Sequence, residues 1–479
     1  MITTEQLLSR LDNSSLKANH YKVIIAGVLG CMLEFFDYFL IGFVLAFIVV
    51  PWKLTFTQAT IVLLIAGIGA MLGAFFFGWA AERIGRRPIF IITVLAFSLP
   101  SGLMYLTPEG GWIYLSCMRF FVGFGVGGLY TIDLALVQEF VPSRYRGLIS
   151  GLLTAFIPIG VMIASAIAGN LTPLIGWRGL FLIALLPAFL TLLIRAWIPE
   201  SPRWLISKGR YADAVRSINW VIGSTEVIRP EEIRAPAPAA EPVRKSSWKE
   251  LFKYPRSLVV ACITNFCLQT GDYGMTLWGA TLFVLVLQAP PSQAANLFFP
   301  VAMAGFAGRW FWAYMSEGVG RRRAGMLLGV GATTLLIIAA VFNRSFIGAT
   351  SVFWLAYIGA YFFVNGGMAV IGPYASEVWP KHLRTMGMGA GYGFGGVGKM
   401  LGPVALGLFA GGGNLVTPKA TLAALGPAVG LWAAATLTVA ICCYFGIETR
   451  NKSIEEIDSL VRGVPLPEKA AAASELRRA

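Results

Sequence analysis

The sequence predicts an all-α polytopic membrane protein, with twelve transmembrane helices in two pseudo-symmetric six-helix halves. Three observations carry this expectation. Of the 479 residues, 57% are hydrophobic and 13% charged, with a mean hydropathy of +0.70; a soluble chain is about one quarter charged. The apolar residues gather in runs of about 20 or more, the length that crosses a bilayer as a helix. One passage also occurs twice. Gly78-Trp-Ala-Ala-Glu82-Arg83-Ile-Gly85-Arg86-Arg87 returns as Ala313-Tyr-Met-Ser-Glu317-Gly318-Val-Gly320-Arg321-Arg322, an offset of 235, and the same shift carries Asp37-Tyr38 onto Asp272-Tyr273. Membrane proteins built from two related halves place a ligand site between them near mid-membrane. A transporter is therefore the first functional expectation.

In chain order, the polar residues 1–21 read as a cytoplasmic N-terminal segment without the apolar core of a cleavable signal. The N-terminal six-helix half is 22–198, with spans near 22–50, 58–81, 88–107, 112–140, 147–171 and 178–198. Residues 199–256 break the pattern. Their run Ala235-Pro-Ala-Pro-Ala-Ala-Glu-Pro242 is a Pro-rich linker, flanked by short amphipathic helices at 209–222 and 246–252. The C-terminal half is 257–446, with spans near 257–288, 293–316, 323–343, 346–377, 384–411 and 420–446. A charged cytoplasmic tail, 447–479, follows. Glycines crowd the spans, notably Gly67, Gly69 and Gly73, Gly123 to Gly128, and Gly391 to Gly398. Small residues let helices approach closely where lipid supplies no hydrophobic force between them.

The formal net charge of +14 does not point to nucleic acid, because its placement is asymmetric. Arg83, Arg86, Arg87, Arg144, Arg146, Arg321 to Arg323, Lys381 and Arg384 occupy alternate loops. The positive-inside rule then sets both termini in the cytoplasm, and the short loops suit a bacterial inner membrane. The six cysteines lie in apolar runs without metal spacing and read as small packing residues. His20 and His382 both fall on the cytoplasmic side, so no histidine relay is expected within the membrane. No cofactor, metal cluster, nucleophile–base pair or nucleotide loop is expected, and with them no enzyme. The glycines at 123–128 follow no strand and form no dinucleotide motif.

Further motifs sharpen the class. Arg119-Phe-Phe-Val-Gly123-Phe-Gly125 opens the fourth span. Glu139-Phe-Val-Pro142-Ser-Arg-Tyr-Arg146 and Glu377-Val-Trp-Pro380-Lys-His-Leu-Arg384 form a matched pair, offset by 238. Pro199-Glu200-Ser201-Pro202-Arg203 closes the first half, and Glu448-Thr449-Arg450 the second. Across nearly the whole chain these residues resemble the major facilitator superfamily, particularly its sugar-porter-like and aromatic-acid:proton symporter branches. Glu82 stands in place of the superfamily's usual Asp, and Ile447 in place of a usual Pro. Physically, Glu82 and Glu317 sit at cytoplasmic helix ends beside Arg86 and Arg321. Glu139 with Arg146, and Glu377 with Arg384, can bridge neighbouring helix ends. These residues, with Gly78 at the head of the motif, are the candidate gate, needing a few kcal/mol to bias two states. A static clamp is the alternative.

Ionisable groups inside a bilayer are costly and functional by default. Seven fall within the spans: Glu34, Asp37, Arg119, Asp133, Asp272, Arg309 and Lys399. Asp37 lies about 22 Å from the inner end of the first span, and Arg119 about 10 Å from the outer end of the fourth. These depths match in a core about 30 Å thick. The resemblance makes those helices neighbours, and proton-coupled sugar porters have a similar acid in span one and Arg in span four. Asp37 and Arg119 are thus candidates for proton coupling, with a permanent ion pair as the alternative. Glu34 joins them one turn earlier. Glu34-Phe35-Phe36-Asp37 resembles the Asp-Gly-Tyr/Phe-Asp motif of aromatic-acid symporters, with Phe35 for Gly, and paired acids favour a protonatable site.

Lys399, near mid-membrane in the eleventh span, calls for an anion: a substrate carboxylate or Asp272, unless it snorkels to water. The resemblance supports the first, since organic-acid branches carry Arg at the matching place. Asp272 sits with Gln269, Tyr273 and Trp278 in a seventh span lacking the Gln-Gln-x-x-Gly-x-Asn pattern of sugar porters. Tyr38, Tyr374 and Asn365, with Tyr130, Tyr361, Tyr392 and Phe35, are candidate lining residues. Asp133 and Arg309 read equally as packing, gating or binding. The fifth span lacks the signature of drug:proton antiporters. The expectation is a proton-coupled symporter that imports a small organic acid by alternating access. Its partners are protons, a small-molecule substrate and the lipid bilayer, and the family implies a monomer. A sugar or polyol symporter is the alternative. A transport-dead nutrient receptor would call for a large signalling tail.

Overall fold

The computed structural model describes residues 2–196, 198–224, 233–234, 248–450, 452 and 454–462. A short helix α1 (Thr4–Asp12) starts on a capping box between Thr3 and Gln6. The first four spans are α2 (Ala18–Ile48), α3 (Phe56–Ile84), α4 (Arg86–Leu103) and α5 (Trp112–Phe140). The fifth is shared by α6 (Arg146–Ala155) and the start of α7 (Ile157–Ala196). Pro158, which lacks an N–H, sits in the first turn of the restarted helix, where that loss is tolerated. Helix α7 turns at Gly176, with φ 71°, and continues as the sixth span. Helices α8 (Pro202–Ser207), α9 (Tyr211–Ile222) and α10 (Trp248–Leu251) lie between the repeats. The second set is α11 (Pro255–Val286), α12 (Pro291–Val319), α13 (Arg321–Val341), α14 (Val352–Glu377), α15 (Arg384–Ala410) and α16 (Pro418–Phe445), followed by α17 (Ile454–Arg462). The Pro-rich run 235–242 lies outside the described residues.

All twelve expected spans are helical, with one revised start. Residues 346–351 form a tight hairpin, Phe346–Ile347 against Thr350–Ser351, turning at Gly348 with φ 61°. The tenth helix therefore begins at Val352. Among the described residues, eight helices are long and apolar enough to cross a membrane by length and composition. Helices α11 and α12 are as long but less apolar, and they are the two that carry Asp272 and Arg309.

The chain forms two compact units, Met1–Ile41 with Ile65–Val243, and Gly42–Leu64 with Arg244–Ala479. In the first, α3 and α5 pack almost backbone to backbone. A Cβ at Gly69 or Gly73 would strike the carbonyls of Phe120 and Phe124, and one at Gly123 or Gly127 those of Ala66 and Ala70. Helices α1 and α9 dock by their apolar faces, Leu7 against Val215 and Ile218, and Leu11 and Val221 in the cluster around Phe140. In the second unit, α11 is buried continuously from Cys267 to Phe283. Helix α15 lies close because Gly398 and Gly402 face the carbonyls of Phe266 and Thr270. The outer turn of the first hairpin joins this unit. Phe43 meets Phe298 edge-on at 5.4 Å, and the N–H groups of Phe56 and Thr57 donate to the carbonyls of Asn414 and Gly412.

Candidate functional site

In the first unit, Asp37 is buried on α2. The Ser101 hydroxyl on α4 donates to its Oδ1 at 2.5 Å, while Oδ2 accepts from no donor among the described residues. Arg119 on α5 is fully buried beside it but does not form the expected ion pair with the carboxylate. Its guanidinium donates to the main-chain carbonyls of Tyr38 at 2.7 Å and Asp37 at 3.4 Å, and lies 5.5 Å from the Tyr38 ring. Arg119 thus clasps α2 by its backbone and leaves the carboxyl to a neutral hydroxyl. Glu34 is buried one turn earlier. Ser101 was not singled out in the sequence; its signal was a hydroxyl next to Pro100 inside an apolar span.

The second unit builds a different cluster around the equivalent acid. The Asn365 amide on α14 donates to Asp272 Oδ1 at 2.8 Å, and Arg309 Nε on α12 donates to Asn365 Oδ1 at 2.6 Å. Asn365 thereby links acid and cation. Arg309, left open between roles by sequence reasoning, is a member of the cluster. Lys399 on α15 is half-buried, with its Nζ 5.2 Å from the Tyr273 ring centroid. Lys399 and Arg309 are the two cations whose fields act on Asp272. The Tyr361 hydroxyl shares a hydrogen bond of 3.0 Å with Thr276, one turn beyond Asp272. Gln269, one turn before, packs beside Gly395.

Other candidate lining residues sit elsewhere. Trp278 is buried and donates to the Pro403 carbonyl at 2.8 Å, tying α11 to α15. Tyr374 donates to the Ile447 carbonyl at 2.7 Å. It lies nine residues past Asn365, about 13 Å farther along α14. Both side chains spend their polar atoms on structure. Tyr392 is exposed. The side chains of Tyr130 and Asp133 lie outside the described residues.

The charged residues at the helix ends that carry the repeated motif form two matched networks, in which Glu139 and Glu377 take partners other than those expected. Glu139 pairs with Arg86 at 3.5 Å, while Arg146 pairs with Asp12 at 2.6 Å, which also holds Arg203 at 2.9 Å. Glu377 faces Arg321 at 3.6 Å and accepts from Thr449 Oγ1 at 2.5 Å; among the described residues it has no bond to Arg384. The Glu200 carboxylate accepts from the N–H groups of Arg86, Arg87 and Ser201. Glu448 accepts from those of Arg321, Thr449 and Arg450. Each acid covers the N-terminus of a helix, α4 or α13, where negative charge is favoured. The preceding residues, Gly85 (φ 120°) and Gly320 (φ 103°), adopt a conformation that L side chains rarely take, and a Cβ on either would meet that carboxylate. The motif repeats because it builds the same cap twice. Glu82 is exposed, and its carbonyl accepts from Trp204 Nε1 at 3.2 Å; Glu317 bonds Arg321 at 2.5 Å. Gly78 has open space around it.

Comparison with known proteins places these features in a family. The profile described as "Sugar (and other) transporter" matches residues 22–461. The niacin transporter NiaP of Acinetobacter baylyi is 28% identical over 84% of this chain and 89% of its own length. The cis,cis-muconate transport protein of the same organism is 25% identical over 85% of this chain and 92% of its own. Among solved structures, the inward-open xylose transporter XylE from E. coli superposes with a TM-score of 0.67, covering 92% of this chain and 99% of its own, at 17% identity. The chain has no place among enzymes: with twelve helices in two related halves, it belongs to the sugar (and other) transporter family, multi-pass membrane carriers of the major facilitator fold.

Proposed function

We propose that the protein is a proton-coupled symporter that imports a small organic acid by alternating access. The observation that carries the coupling is the setting of Asp37. A buried carboxyl faces a neutral hydroxyl on one oxygen and, among the described residues, no donor on the other, with its neighbouring arginine engaged by carbonyls. Neutralising such a group by a proton relieves the cost of a buried charge, and releasing the proton demands access to water. Arg119 senses the charge through the backbone it grips, and Glu34 shares the proton affinity of the site. Lys399 attracts the cargo anion into a region bordered by Tyr273, Gln269 and Asn365. The cargo class is supported by the relatives, since niacin and cis,cis-muconate are both carboxylates. XylE speaks to the fold alone.

The six-helix halves 22–198 and 257–446 are the moving bodies, joined by 199–256. The Arg86–Glu139 and Arg321–Glu377 networks are the latches that part when the cytoplasmic side opens. We place both termini in the cytoplasm of a bacterial cell, with the protein in the inner membrane and functional as a monomer.

The test is alkalinisation of a lightly buffered medium around expressing cells. Carboxylates including nicotinate and benzoate are added in turn, then xylose. An alkaline shift with a carboxylate, absent in Asp37→Asn, supports the reading. A response to sugars alone overturns the cargo class. Uptake without proton movement makes the protein a facilitator.

A further inference from the structure

Between the ends of α11 to α16 only three residues carry formal charge: Asp272, Arg309 and Lys399. The other charged residues of these helices, such as Arg256, Glu317 and Lys419, sit at their termini. With Asp272 ionised, the interior of this unit therefore holds one net positive charge, however its members pair. Asp272 is bonded as a carboxylate would be, accepting the Asn365 amide N–H while Asn365 accepts from Arg309. The groups that surround it are Arg309 on α12, Asn365, Tyr357 and Tyr361 on α14, and Lys399 on α15, with Tyr273 beside it on α11. Helix α16 presents Trp432 and Thr436, which do not titrate in the working range. The phenols are bonded as neutral hydroxyls, Tyr357 donating to the Met275 carbonyl at 2.6 Å and Tyr361 sharing its bond with Thr276.

We infer that Asp272 determines cargo charge: it leaves this unit one positive charge in excess of neutrality, so that the unit accepts a monocarboxylate in preference to a dicarboxylate. The inference rests on the organic-acid reading and narrows it. Net charge inside a bilayer is costly. A monoanion brings the sum to zero, whereas a dianion replaces an excess positive charge with an excess negative one. Asp272 acts through its field, bound to Asn365, and is a specificity-determining residue without being a cargo contact. Removing its charge makes the sum two, which a dianion neutralises.

The test uses full-length protein in liposomes and reads counterflow of benzoate against terephthalate, two cargoes that share a ring and differ by one carboxylate. Wild type favours benzoate. Asp272→Asn moves the ratio towards terephthalate by about tenfold or more, as one unit charge in a partly screened interior implies. Asp272→Glu keeps the wild-type ratio. Asp272→Asn combined with Arg309→Gln restores a single positive charge, on Lys399, and with it the preference for benzoate. A purely structural role for Asp272 would lower both fluxes together and would not be corrected by the second change. An unchanged ratio in Asp272→Asn, or a ratio that the double variant fails to return, overturns the inference and leaves the carboxylate reading standing. Should Asp272→Asn not fold, the double variant and Asp272→Glu decide it: a terephthalate preference in either overturns the inference. Xylose transport with no carboxylate flux overturns both readings.

Discussion

Asp37 and Asp272 occupy equivalent places in the two repeats, and their surroundings differ in kind. Asp37 meets a serine hydroxyl, and the nearby Arg119 is held by carbonyls. Asp272 meets an asparagine that is itself held by an arginine, with a lysine acting at longer range. The contrast extends one helix further. The offset of 238 that aligns Glu139 with Glu377 aligns Arg119 with Tyr357. Arg119 donates to the Tyr38 carbonyl, and Tyr357 to the Met275 carbonyl. The same architectural bond, from the fourth helix of a repeat to the backbone of the first, is charged in one repeat and neutral in the other. Duplication has kept the geometry and redistributed the charge. Acids predominate among the described interior charges of the first unit, where Glu34 and Asp37 outnumber Arg119, and cations predominate in the second.

The strongest way to break this contrast is to remove one acid at a time. Asp37→Asn is expected to abolish proton-driven accumulation, leaving uptake that stops when the cargo's own gradient is spent; labelled uptake with and without a pH gradient reads this. Next come the paired clasps. Arg119→Leu removes two charge-assisted bonds to the backbone of α2 and is expected to cost about 2–4 kcal/mol. Tyr357→Phe loses one neutral bond, about 1–2 kcal/mol. Thermal unfolding in detergent orders them, and equal losses would contradict the contrast. Comparable to the loss in Tyr357→Phe are Gly85→Ala and Gly320→Ala, each about 1–2 kcal/mol from a forced positive φ. Because both glycines serve the same cap, their losses should agree, and a large gap would break the symmetry of the two networks.

The smallest effect is expected at Asp213 on α9. Hydrogen bonds from Arg210 and Arg216 hold its carboxyl below the usual carboxylate range. A depressed folded value means that the contribution is present above the ordinary carboxylate pKa and is lost as pH falls through the folded one. Asp213→Asn should therefore narrow the stability difference between neutral and strongly acidic pH slightly, in an exposed and screened pair.

Much of the architecture was legible because a bilayer forces it. Runs of about 20 apolar residues must be helices, and the duplicated motif exposed the repeat. Two departures show where that logic stops. Residues 346–351 are apolar enough to extend a span, but Gly348 turns them into a hairpin. Glu139 and Arg146 are close in sequence, yet Glu139 reaches Arg86 and Arg146 reaches Asp12, because pairing follows three-dimensional proximity of helix ends. The buried charges themselves could be read from the sequence, since so few interrupt the spans. Their partners could not. Ser101 and Asn365 are common polar residues, distinguished only by the carboxylates they meet. Arg119 was placed at the right depth, but nothing in its spacing reveals that a carbonyl, rather than the carboxylate, receives its hydrogen bonds.

The central claim is that one proton on Asp37 moves with the cargo. The most direct measurement is simultaneous recording of proton flux and labelled benzoate flux in liposomes containing the purified protein. The account predicts inward movement of both in wild type, and in Asp37→Asn anion exchange that persists with no proton flux. Proton flux undiminished in Asp37→Asn, or benzoate uptake in wild type with no proton flux at all, would contradict it.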